Sequence, residues 1–97
     1  MFEIFFTEYA KTQLKKLKKD KGLTKKYNAA KKAIIFLSEN PRRKSLNTHE
    51  FTSLKEPSGE KVFEAYAEQS TLAAYRVFWC YGPTKDQITI LAITPHP

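Results

Sequence analysis

Disulfides are ruled out first, because the chain's one cysteine, Cys80, has no partner within it. A lone thiol fits a reducing compartment such as the cytoplasm. No run approaches the roughly 18 apolar residues that a membrane span needs. The opening MFEIFFTEY has no basic segment followed by a long apolar stretch, so neither a membrane helix nor a secretory signal is expected. Two histidines and the single cysteine supply no closely spaced ligand pair, and a metal site is not expected. Internal repeats, low-complexity segments and domain linkers are also missing, so residues 1–97 read as one domain. Disorder is excluded in turn by a 41% hydrophobic and 13% aromatic content, enough for a real core.

Acidic residues are scarce in one half only. Residues 1–44 hold 13 of the 17 Lys/Arg against Glu3, Glu8, Asp20 and Glu39, a balance of +9, whereas residues 45–97 carry −2. Such a basic half suits nucleic acid or an acidic protein as partner, or simply a solvated, lysine-coated helical surface.

Phe2 to Phe6 is too short for a helix and reads as a strand. Thr7 can cap a helix that starts at once, with Glu8 in the first turn, and Ala10, Leu14 and Leu17 form one apolar stripe that Gly22 closes. A second helix starts at Thr24 as N-cap, repeats Tyr27, Ala30, Ile34 and Leu37, and stops at Asn40-Pro41. So short a connection predicts an antiparallel helical hairpin whose apolar faces must lie on something else. The polar stretch 41–60 reads as a long loop with a partial strand near Phe51. Val62 to Ala67 is the next strand. Residues 72–97 then form two β-rich runs around Gly82-Pro83-Thr84-Lys85-Asp86, an antiparallel pair. The expected architecture is α+β, with the order β-α-α-β-β-β. It comprises an antiparallel sheet of about four strands, with the N-terminal helical hairpin packed on one face.

A period of two sorts the strand residues. Tyr75, Val77, Trp79 and Tyr81 suit the helix side, and Arg76, Phe78 and Cys80 the other. Phe63, Ala65 and Ala67 likewise suit the helices, which leaves Glu64 and Tyr66 on the face of Arg76. That open face would carry a cation, a carboxylate, a phenol and, from the chain end, the imidazole of His96.

The element order, the helix AKTQLKKLKK, the loop SENPRRKSLNTHEF, the strand YRVFW and the closing ILAITPHP together resemble the RelE/ParE toxin superfamily across nearly the whole chain. The resemblance implies the toxin of a type II toxin–antitoxin pair, neutralised by an acidic antitoxin. RelE-, YoeB- and HigB-like members cut mRNA at the ribosome and so inhibit translation. ParE-like members poison DNA gyrase without nuclease activity. Arg76 matches the strand arginine that nucleolytic members set on the scissile phosphate, His96 lies near the C-terminal catalytic histidine, and Glu50 falls in the loop that supplies a carboxylate in YoeB-like toxins.

Metal-free RNA cleavage needs a base for the 2′-hydroxyl, a cation for the phosphate and an acid for the departing 5′-oxygen. Arg76 suits the second role, since a guanidinium stays charged and grips two oxygens. An imidazole such as His96 serves as acid or base near neutrality. Glu50 or Glu64 is the expected base. Tyr66 would stack or hydrogen-bond, and Lys55, Lys61, His49, Arg42 and Arg43 would hold RNA. Each has a plainer alternative: Arg76 as a solvent-side residue paired with Glu64, His96 as a loose tail, His49 as a loop cap. An inactive RNA- or protein-binding module on the same fold is a third reading beside the nuclease and the gyrase poison.

Overall fold

In the computed structural model, residues 1–55, 59–69 and 73–95 are described, positions 53–55 by their backbone alone. Strand β1 (Glu3–Phe6) leads into helix α1 (Glu8–Lys19) and, after a 3₁₀ turn at Lys21–Leu23, helix α2 (Thr24–Glu39). Four strands come after a second 3₁₀ turn: β2 (His49–Lys55), β3 (Lys61–Tyr66), β4 (Tyr75–Tyr81) and β5 (Gln87–Pro95). They form one sheet with β1, in the order β1-β5-β4-β3-β2.

The α+β class and the helical pair are as expected, but the sheet has five strands and is mixed. β1 pairs parallel with β5, from Glu3 opposite Gln87 to Phe6 opposite Ile90. The fifth strand is β2, a full edge strand where the sequence reads a long loop with a partial strand near Phe51. Its polar side chains hide the alternation because it is an edge strand, pairing antiparallel with β3 alone.

Thr7 caps α1 as its sequence suggests: Oγ1 accepts the Ala10 N–H at 3.0 Å and also donates to the Leu91 carbonyl at 3.1 Å. Leu91 is the extra residue of a bulge, since Phe78 pairs with Ala92 and Trp79 with Ile90. One hydroxyl therefore anchors both a helix start and an irregularity in the neighbouring strand. Thr7→Ala should cost about 1–2 kcal/mol of stability, the upper range of an N-cap loss, because both bonds disappear; urea unfolding would measure it. Thr24 does not cap α2. The N-cap is Leu23, with no side-chain bond, and the Thr24 hydroxyl donates to the Lys21 carbonyl at 3.0 Å. Asp20, not Gly22, ends α1, and its carboxylate accepts the Gly22 N–H at 2.9 Å.

Between helices and sheet lies the core. Ala10 and Leu17 from α1 and Ala30, Ala33, Ile34 and Leu37 from α2 meet Phe63, Ala65, Val77, Trp79, Ile88, Ile90 and Ile93. Gln13 of α1 reaches across to accept the Ile93 N–H at 2.6 Å. The strand parities hold: Tyr75, Val77, Trp79 and Tyr81 pack toward the helices, and Arg76, Phe78 and Cys80 toward the opposite face. That second face is not open at its centre, because Arg76, Glu64, Phe78, Cys80 and Val62 are all buried.

Candidate active site

Register brings the polar residues of three strands into line. His49 on β2 lies directly opposite Glu64 on β3, and Tyr66, two residues on, lies opposite Arg76 on β4. Directly paired residues share a face of the pleat, so all four side chains stand on the side away from the helices.

Glu64 is the hinge of the group. One carboxylate oxygen is 2.8 Å from His49 Nε2, and the other is 3.7 Å from Arg76 Nε. Its side chain is 2% exposed and that of Arg76 7%, while that of His49 is 48% exposed. The guanidinium carbon lies over the Tyr66 ring, 3.7 Å from its centroid, a cation–π contact strengthened by the exclusion of water. Arg76 Nη1 donates to the Glu68 carbonyl at 2.6 Å and to its neighbour's, Tyr75, at 3.3 Å. Its Nε is buried without a hydrogen-bond partner among the described residues, since the Glu64 oxygen is too far away for one. Glu68 carries the network on: Oε1 accepts from the Tyr75 N–H at 2.9 Å and from Lys26 Nζ of α2 at 3.0 Å.

A loop fixes the imidazole from its other side. His49 Nδ1 is 2.8 Å from the carbonyl of Asn47, whose backbone is left-handed at φ 47°. Asn47 Nδ2 donates to Gln69 Oε1 at 3.0 Å, and Gln69 Nε2 donates to the Ser45 carbonyl at 2.8 Å. The turn before β2 is thus laced to the end of β3. Tyr66 meets the His49 ring edge-on at 5.8 Å and also borders a cavity of about 150 Å³ lined by Lys32, Phe36, Ser45, Leu46 and Gln69.

The residues that the sequence nominates divide between two sides of the sheet. His49, Glu64, Tyr66 and Arg76 converge. Glu50 does not join them: it pairs with Phe63 and so stands on the helix-side face. Lys61, exposed, has the parity of Phe63. Arg42 lies over the Phe63 ring at 5.4 Å, and Arg43 stacks on Phe36 at 3.7 Å with Nε donating to Ser45 Oγ at 3.1 Å. Arg43 therefore flanks the cavity beside Tyr66. Lys55 pairs through its backbone with Lys61, its side chain lying outside what is described, and His96 falls outside the described residues. Sequence reasoning misses Asn47, Glu68 and Gln69 as supports; Asn47 and Glu68 meet His49 and Arg76 through backbone carbonyls, and the side-chain bonds of all three depend on loop geometry that leaves no signal in residue type.

The solvent-side role expected of Arg76 is therefore corrected. The two strands flanking β4 and the Tyr66 ring enclose it, and Glu64 balances its charge. What reaches solvent is the imidazole of His49 and part of the Tyr66 ring, with the buried cation behind them.

No protein-family model matches the chain, and no curated protein sequence matches it. Among solved structures, a chain of the archaeal RelE–RelB complex from Pyrococcus horikoshii OT3 is similar with a TM-score of 0.65, covering 97% of this chain and 93% of that one at 17% sequence identity. The chain shares the fold of that structure.

Proposed function

We propose that this chain is the toxin of a toxin–antitoxin pair, an endoribonuclease that cuts mRNA on the ribosome without a metal and is neutralised by an acidic antitoxin. The observation that carries the reading is the His49–Glu64–Arg76–Tyr66 cluster, standing on the helix-free face of a RelE-like sheet. An imidazole open to solvent, a cation behind it and a phenol ring at its edge are the groups a scissile phosphate and its neighbouring base require. The +7 net charge favours a polyanion. The similar archaeal structure is a complex of RelE with RelB, which supports an antitoxin partner.

Burial of Arg76 and Glu64 favours a second reading, a gyrase-directed toxin in which the cluster is structural. Induced expression separates the two. The nuclease should leave mRNA fragments with cyclic-phosphate ends while DNA stays intact, and His49→Ala should abolish the fragments. Broken DNA with intact mRNA would make gyrase the target.

A further inference from the structure

The two ring nitrogens of His49 both face acceptors. Nδ1 lies 2.8 Å from a backbone carbonyl, and Nε2 lies 2.8 Å from the Glu64 carboxylate. A carbonyl oxygen can only accept, and so can an ionised carboxylate. A neutral imidazole has one N–H and could satisfy just one of them. The pair His49–Glu64 therefore holds one proton more than a neutral ring beside a free carboxylate. Arg76 lies on the far side of Glu64, its Nε 3.7 Å from the second carboxylate oxygen, so the charge-balanced arrangement has the negative charge on the carboxylate and the extra proton on the ring.

We infer that His49, doubly protonated between Asn47 and Glu64, is the general acid of this site, and that Glu64 positions it rather than acting as the base. The inference rests on the nuclease reading. Groups facing the ring are Glu64 and Tyr66 from β3, the Asn47 carbonyl from the preceding turn and, behind Glu64, Arg76 from β4. Glu64 is a poor base for a substrate hydroxyl, because its oxygens are directed at His49 and Arg76 and its side chain is 2% exposed. As holder of the Nε2 proton it fixes the ring and leaves the Nδ1 proton as the transferable one. Among the described residues, the Nδ1 proton is bonded to the carbonyl of an exposed loop residue.

In the step itself, the 2′-oxygen forms a bond to phosphorus and its proton passes to solvent. The bond from phosphorus to the 5′-oxygen breaks, and its electron pair goes to that oxygen. The 5′-oxygen takes the Nδ1 proton, leaving a cyclic phosphate, a free 5′-hydroxyl and a neutral ring still bonded through Nε2–H to Glu64. Solvent then returns a proton to the ring.

Two measurements test this. Nitrogen-15 NMR of the wild-type protein at neutral pH should show both His49 ring nitrogens protonated, and Glu64→Gln, whose amide can donate to Nε2, should convert the ring to a neutral tautomer. A deprotonated ring nitrogen in the wild type would overturn the proposal whether or not the protein cuts RNA. The second compares ribosome-bound mRNA carrying a normal linkage with one in which sulfur replaces the bridging 5′-oxygen, since a thiolate leaves without a proton. His49→Gln should slow the normal linkage by about 100-fold or more while cutting the sulfur linkage within about 10-fold of the wild type. Equal losses on both would defeat the acid role alone; a wild type that cuts neither would bring down the nuclease reading and the acid role together.

Discussion

Glu64→Ala should lower the stability of the protein by about 3–5 kcal/mol, the cost of leaving a buried charge without its partner. The carboxylate stands between two groups that need it. Arg76 would keep a guanidinium that is 7% exposed, with its Nε already lacking a hydrogen bond among the described residues, and His49 would lose the acceptor at Nε2. Against the roughly 5–15 kcal/mol that holds a domain of this size together, such a loss is severe. Urea unfolding can follow it through the emission of Trp79, the single tryptophan. A companion variant separates charge from packing. Replacing both partners, Glu64→Leu with Arg76→Leu, should restore most of the lost stability, because burying two apolar side chains avoids desolvating two ions. A cost below about 1 kcal/mol for Glu64→Ala would show that water reaches the guanidinium as soon as the carboxylate is gone, and the site would then be wetter than its burial suggests.

Trp79→Ala carries the other large penalty, about 3–5 kcal/mol as for other buried aromatic truncations. The indole is fully buried, stacks on Phe63 at 4.9 Å with the planes 25° apart, and meets Tyr81 edge-on at 4.8 Å. It lies between Val77 and Tyr81 on the helix-facing side of β4, so its removal opens a void at the middle of the core. The indole N–H, however, is buried without a hydrogen-bond partner among the described residues. An unsatisfied buried donor costs about 1–3 kcal/mol, and phenylalanine removes that donor while keeping much of the ring. Trp79→Phe should therefore retain more than half of the stability that Trp79→Ala loses, as judged by thermal unfolding followed by circular dichroism. A phenylalanine variant as unstable as the alanine one would mean that indole volume, not aromatic contact, sets the packing here.

How much of this is legible in the residues themselves differs from strand to strand. In YRVFWCY the period of two sorts Arg76 from Trp79 correctly, since one face packs on helices and the side chains declare it. Glu64 and Tyr66 obey the same rule. The parallel pairing of β1 with β5 leaves no such trace, because EIFF looks alike beside any neighbour. HEFTSLK shows only a partial strand near Phe51 for a related reason, and its extent back to His49 stays hidden: an edge strand needs only a partial apolar face. Without that strand, His49 has no register and the meeting of its ring with Glu64 cannot be foreseen. The burial of Arg76 is likewise a product of assembly. Parity says which way a side chain points, but enclosure depends on Tyr66 folding over it and on Glu68 turning its carbonyl inward.

The position of β1 has a consequence for how the molecule comes into being. Glu3 meets Gln87 across 84 residues, and α1 rests chiefly on β5. Until β5 has been synthesised, the first strand has no neighbour to pair with and the first helix little to cover. Distant closures of this kind slow the search for the native arrangement. A nascent chain must therefore wait with its leading aromatic residues uncovered, open to chaperones or to a binding protein made alongside it, and acquires its finished surface only at the last stage of assembly.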